Sequence, residues 1–299
     1  MSLSEDLRNE LAAIAPARAC CRLAELSALF HSAGALHLQG RGEVAVHLDL
    51  SSSATARRAF VLLRDSGVAS EIRTYRRTSF DRATRYQLHV SGNAGALGLL
   101  REAGVLGPRL APLERPPKRV VGRACCRGAY LRGALLGGGS LSARHLEART
   151  SGLDGARFLA DVVAADGVAL RVQERAGHAA AYAKGVDAIA EAVALAGASD
   201  TALVFEEQAV VGATRAQANR LANADHANLV RTSRAAAAQL RAIRALELDD
   251  LPEWLHEIAV LRLKNPTLSL RELAAKCDPP ATKAAVQRRL RRLVELGDL

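Results

Sequence analysis

A chain of 299 residues is long enough for two or three domains with cores of their own. Aromatic residues make up only 3% of it, so those cores have to be built from Leu, Val, Ile and Ala. A formal net charge of +10 and a pI near 9.9 point to an anionic partner, nucleic acid being the commonest, although an Ala/Arg-rich bias that puts Arg on every solvated face gives the same charge. No apolar run approaches the roughly 20 residues that span a bilayer, and Met1 to Glu10 is too charged for a signal peptide, so the expectation is a soluble cytoplasmic protein with no membrane partner.

The first segment, residues 1–110, opens with an amphipathic helix carrying Leu7, Leu11 and Ile14, ended near Pro16. A second helix, Cys20 to Ser32, is apolar almost all round and is expected to be buried on more than one side, with Gly34 as its stop. Leu36 to Leu38 and Val44 to Leu50 alternate as strands, and Ala54 to Ser66 returns to helical spacing. Ser70 to Arg77 and Arg85 to Val90 form another strand pair before a helix through Leu97 and Leu100. Arg73, Arg76 and Arg77 on the third strand, with Arg82 and Arg85 after it, make a candidate basic ribbon for phosphates, or an ordinary solvated sheet face.

After a Pro-rich connector (Pro108, Pro112, Pro116, Pro117), the same order recurs in residues 118–217. The helix Cys125 to Gly137 leads to a strand near Arg144 to Arg149 and a helix from Leu153 to Ala165. Strands at Val168 to Glu174 and Ala179 to Lys184 then precede a helix from Val186 to Ala196. The recurrence is literal in places: Cys20, Cys21, Leu26, Ser32 and Gly34 lie 105 residues before Cys125, Cys126, Leu131, Gly137 and Gly139. An internal duplication is the reading. The five cysteines form no disulfide framework, and their spacing to Cys277 has no zinc-finger form, so they are expected to be small buried apolar residues with no metal.

Residues 218–299 are expected to be all helical. A long run begins near Ala218, in which Asn219, Arg220 and Asn223 suit an interdomain corner or a phosphate contact, or else mark a break near Asn223 to Asp225. Pro252 opens a helix containing Trp254, Leu255 and Ile258, closed by Asn265-Pro266. Ser269 to Glu272 is a capping box, Asp278-Pro279-Pro280 a turn, and Thr282 the cap of a helix whose Val286, Leu290 and Leu293 face inward. This is a helix-turn-helix at about 268–297. Ala284, Gln287, Arg288 and Arg291 share the outward arc and are the candidates for base edges. Thr282, Lys283, Arg289 and Arg292 complete the candidate DNA-binding set, the last two on the flanks for phosphates.

The duplicated unit, each copy headed by a helix of small residues (Leu26 to Gly34, Leu131 to Gly139), resembles the LAGLIDADG homing-endonuclease fold. The resemblance implies an α+β architecture of two αββαββα repeats, with Gly133, Gly137 and Gly139 meeting Ala28, Ser32 and Gly34 across a pseudo-twofold axis. The metal-binding carboxylates of that family fall on Ala33 and Gly138, neither of which can hold Mg²⁺. His31, the only titratable candidate in the two motifs, reads as a core residue. Cys126 to Gly133, Asn219 to Asn223 with Ala227-Asn228-Leu229, and Leu270 to Leu290 together resemble the WhiA family of bacterial sporulation and cell-division regulators. That resemblance implies a non-catalytic, nucleoid-associated regulator of division, chromosome-segregation or sporulation genes. It needs no cofactor; its partner is double-stranded DNA, with another transcription factor or RNA polymerase as a further one. The alternatives are a divergent endonuclease recruiting Asp49 or Asp154, and an adaptor whose duplicated domain holds a protein.

Overall fold

Small residues allow two helices to pack backbone against backbone, and one such pair lies at the centre of the duplicated domain. The computed structural model describes residues 2–39, 43–76 and 84–297 and divides into two compact units, Met1–Gly212 and Ala213–Leu299. In the first unit α1 (Leu3–Ala13) precedes α2 (Ala19–Ala33), β1 (Gly34–Gln39), β2 (Glu43–Leu50), α3 (Ser53–Asp65), β3 (Ser70–Arg76), β4 (Thr84–Ser91) and α4 (Ala94–Glu102). The second copy runs α5 (Ala124–Gly138), β5 (Gly139–Ser142), β6 (His145–Thr150), α6 (Leu153–Ala164), β7 (Arg171–Arg175), β8 (His178–Lys184) and α7 (Val186–Ala196). Each copy folds into a four-stranded antiparallel sheet, with orders β1-β2-β4-β3 and β5-β6-β8-β7. The duplicated αββαββα architecture expected from the sequence is therefore present. One strand goes beyond the expectation: β5 is too short and small (Gly-Ser-Leu-Ser) to carry a periodic signal.

The packing of α2 on α5 depends on two glycines. A Cβ on Gly133 would fall on the Glu25 carbonyl oxygen, and one on Gly137 would lie 3.0 Å from the Ser32 Cβ. Gly133 thus meets Glu25 and Ala28, and Gly137 meets Ser32. Gly139 departs from the expectation of a contact with Gly34: it closes its own helix, packed over Leu135. Both helices are buried on most sides, α2 from Ala24 to His31 and α5 from Gly128 to Leu136.

Within this seam lies a charge network that the sequence pattern gave no hint of. Glu25 on α2 is fully buried. It accepts hydrogen bonds from Arg58 Nε at 2.8 Å on α3 and from Arg132 Nε at 2.9 Å on α5, and Arg132 also donates to the Ala196 carbonyl at 3.2 Å. One carboxylate therefore ties three helices drawn from both copies. His31 is also buried, its Nδ1 2.7 Å from the Ser27 carbonyl oxygen, as expected of a core residue.

The segment after α7 differs from the sequence reading. A single helix, α8 (Ser199–Ala245), begins well before Ala218 and passes through Asn223 to Asp225 without a break. It supplies the end of the first unit and the start of the second. The second unit continues with α9 (Glu253–Lys264), α10 (Leu270–Ala275) and α11 (Lys283–Gly297) around Ile243, Leu255, Ile258, Leu273, Val286, Leu290 and Leu293. Among the described residues no helix is long and apolar enough to cross a membrane.

Glu25→Ala leaves the guanidinium groups of Arg58 and Arg132 buried without a carboxylate to balance them, so it should cost about 3–5 kcal/mol in urea unfolding. Burial lowers the His31 imidazole below its ordinary 6.5, so the folded state holds it neutral while the unfolded chain takes up a proton below that pH. Stability from this site is complete above pH 6.5 and is lost as the pH falls through and below it; in pH-dependent thermal melts His31→Leu should flatten that part of the profile.

Candidate nucleic-acid interface

The end of α8, the helices α9 and α10 and the turns between them hold α11 in place. Ser269 and Glu272 complete the capping box expected at the start of α10, and Thr282 Oγ1 accepts from the Ala285 amide at the start of α11. Arg262 of α9 is buried, with its guanidinium donating to Gln239 Oε1 at 2.9 and 2.8 Å and to the Leu268 carbonyl at 2.7 Å. It joins the end of α8 to the turn before α10. Val286, Leu290 and Leu293 are buried, as their spacing requires.

The remaining faces of α11 divide by what the side chains touch. Thr282, Lys283, Ala284, Gln287 and Arg288 are exposed. Among the described residues the side chains of Lys283, Gln287 and Arg288 hold no hydrogen-bond or ionic partner, so their polar groups are open to a ligand. Arg291 and Arg292 are also exposed, each 3.2 Å from Glu295 on the same helix. Arg289 is half-buried and donates at 3.1 Å to Glu257 of α9, whose other oxygen accepts from the Asp278 amide at 2.7 Å. Arg289 thus anchors α11 and the preceding turn to α9, a structural duty beyond the flanking phosphate contact read from its angle.

The other sequence candidates lie apart from α11 in the chain. Arg73 sits on the solvent face of the first sheet, donating to Glu71 at 2.9 Å, which holds the Glu71 carboxyl below its usual range. Arg76 alternates to the opposite face, so the two do not form one ribbon. Arg77 and Arg82 lie outside the described residues. Asn219, Arg220 and Asn223 are exposed on α8, with Arg220 donating to Gln217 at 3.0 Å.

Cross-strand pairing assembles a face on each sheet that the linear sequence does not display. On the first, His47 stacks on His37 (centroids 4.5 Å apart) and approaches His89 at 5.7 Å, while Asp49 accepts from Tyr75 and Gln87. Burial, with Arg73 and His47 nearby, lowers the His89 imidazole. On the second, Arg149, Arg171, Arg175 and Lys184 are exposed around Glu147, which lies 3.7 Å from Arg149 and 3.4 Å from Arg175. These four basic groups come from three strands, and no single run announced them.

The positions of nuclease carboxylates are filled differently. A Cβ on Gly138 would lie 2.6 Å from the Arg149 carbonyl oxygen, so no acidic side chain fits there, and Ala33 offers no ligand atom. Close by, Arg8 donates to the Gly139 carbonyl at 2.6 Å. Its guanidinium is lowered by burial and by Arg149 and Arg85, so this end of the seam gathers positive rather than negative charge. Asp154 is held by Arg115 at 2.7 Å, and Asp49 accepts from Tyr75 and Gln87 and lies 3.0 Å from His47. At the opposite end, Cys20, Cys21, Cys125 and Cys126 come together. This corrects the picture of separate buried thiols, since Cys20 and Cys125 are only half-buried.

Three family models match in succession: the WhiA N-terminal LAGLIDADG-like domain over residues 19–106, the WhiA LAGLIDADG-like domain over 127–215, and the WhiA C-terminal HTH domain over 218–297. Proteins described as probable cell division protein WhiA are 36% identical in Heliobacterium modesticaldum, covering 100% of this chain and 96% of the relative, and 36% identical in Streptomyces avermitilis, covering 100% and 92%. The crystal structure of full-length WhiA from Thermatoga maritima has a TM-score of 0.58 at 21% identity, covering 100% of this chain and 98% of that one, and shares its fold. The chain belongs to the WhiA family.

Proposed function

We propose that this protein is a sequence-specific DNA-binding regulator of transcription, acting on genes of cell division, chromosome segregation or sporulation, and that it does not cut DNA. The observation that carries the reading is the outward face of α11, where Lys283, Gln287 and Arg288 stand exposed and without partners on a helix fixed from behind by Val286, Leu290, Leu293 and Arg289. A rigid helix with open Gln and Arg side chains can enter a major groove, where Arg pairs with guanine and Gln with adenine. The exposed Arg291 on the outward arc suits a base edge and Arg292 a flanking phosphate, each exchanging its contact with Glu295 for one to DNA. The names of the relatives support the division role. The absence of a ligand atom on Ala33 and the lack of room at Gly138 support a non-catalytic role.

In this reading the chain has three parts: a first repeat over 1–110, a second over 118–217, and a DNA-binding domain over 218–299. Arg149, Arg171, Arg175 and Lys184 on one face of the second sheet give the duplicated domain its own means of contacting a phosphate backbone, as Arg73 does on the solvent face of the first.

In gel shifts with duplexes selected from the host genome, Arg288→Ala with Arg291→Ala should weaken specific binding by about 10–100-fold. The wild-type affinity should fall steeply with salt, as phosphate contacts release counterions. Incubation of the same duplexes with Mg²⁺ or Mn²⁺ should leave them intact. Specific binding unchanged in the double variant overturns the assignment of α11, and metal-dependent cleavage overturns the non-catalytic role.

A further inference from the structure

The N-terminal ends of α2 and α5 bring four thiols into one cluster. Cys20 and Cys21 are the second and third residues of α2, and Cys125 and Cys126 hold the same places in α5. Their four Sγ atoms all lie within 4.8 Å of one another, and Cys125 and Cys126 are 4.0 Å apart. In a tetrahedral site with Zn–S bonds of about 2.3 Å, the sulfurs are about 3.8 Å apart, so closure needs only side-chain rotation and small shifts. An iron–sulfur cluster spreads its thiolates around several iron atoms and needs a wider cradle than this.

The surroundings repeat the twofold symmetry. Arg18, just before α2, directs its guanidinium to Cys125 Sγ at 3.5 Å, and Arg123, just before α5, directs its own to Cys20 Sγ at 3.8 Å. Neither helix start carries a side-chain cap, and both place the sulfurs in the first turn, at the positive end of a helix dipole. Four thiolates around a dication leave two negative charges in excess, and two arginines face them. Cys21 and Cys126 are buried, while Cys20 and Cys125 open to solvent and give an ion its way in. Contact with Cys21 and then Arg18 lowers the Cys125 thiol to about 7.

We propose that Cys20, Cys21, Cys125 and Cys126 bind one zinc ion through four thiolates, joining the two repeats at the end of the helix seam opposite Ala33 and Gly138. Binding displaces the thiol protons and leaves the sulfurs reduced, so the site needs no oxidant. A soft, four-sulfur tetrahedral set selects zinc over the hard cations that a nuclease site uses. The ion takes the structural role of a closed site, since all four positions are filled by protein.

The full-length protein, purified with a reductant from zinc-supplemented medium and passed over a chelating resin, should retain one zinc per chain by plasma mass spectrometry. Cys20→Ser and Cys125→Ser, at the half-exposed positions, should weaken zinc binding at least about tenfold, whereas Cys277→Ser should leave it unchanged. If the serine variants fail to fold, X-ray absorption on the wild-type protein decides the matter, with a shell of four sulfurs at about 2.3 Å expected. The proposal is overturned by a metal-free protein with all four thiols open to alkylation, by bound iron in place of zinc, by a mass showing a disulfide between the two pairs, by zinc retained equally in the serine variants, or by nitrogen or oxygen in the metal shell.

Discussion

Everything in the duplicated domain depends on how closely α2 and α5 approach. The Gly133 position allows the Glu25 backbone to lie against α5, and the same residue's carboxylate then reaches Arg132 on that helix and Arg58 on α3. Close approach and charge pairing are two aspects of one constraint. Without the glycine the helices separate, and without the carboxylate two guanidinium groups are left in an apolar interior, where an unpaired charge costs several kcal/mol. Because the pairing crosses from one copy to the other, neither copy can complete its core alone. The sheets are carried on this seam, and their solvent faces take their positions from it.

The two ends of the seam have different chemistry. At the C-terminal ends of α2 and α5, Ala33 and Gly138 stand where a LAGLIDADG nuclease would place carboxylates, and Arg85 and Arg149 lie within electrostatic reach of Arg8. At the N-terminal ends four sulfurs gather between two arginines. The seam thus carries basic groups at one end and a soft donor set at the other. The helical unit follows a different principle: its core is small, and the orientation of α11 depends on polar ties, Arg289 with Glu257 and Arg262 with Gln239 and Leu268. The first of these ties turns Arg289 to the inner flank of α11, while Lys283, Gln287 and Arg288 are exposed on its outer face.

How much was legible in the sequence follows from what each signal depends on. The repeat, the order of helices and strands, the capping box at Ser269 and the inward stripe of α11 are local patterns, and the structure follows them. β5 leaves no signature in the sequence because four small residues carry no period. α8 starts earlier than the sequence predicts because the apolar pattern weakens along an exposed helix. Arg73 and Arg76 read along the strand as one basic ribbon, whereas the pleat sends neighbours at odd spacing to opposite faces.

By itself the sequence determined the duplication, the α+β class, the helix-turn-helix and the loss of the nuclease acids, because each is a matter of residue type at a fixed spacing. It also carried the family. Only the tertiary structure decided which residues meet across more than a hundred positions: Glu25 with Arg132, and Cys20 and Cys21 with Cys125 and Cys126. The physical reason is the pseudo-twofold packing of α2 on α5. It sets the two copies side by side, so that residues unremarkable in either copy become a buried ion triad and a four-sulfur cluster where the copies meet.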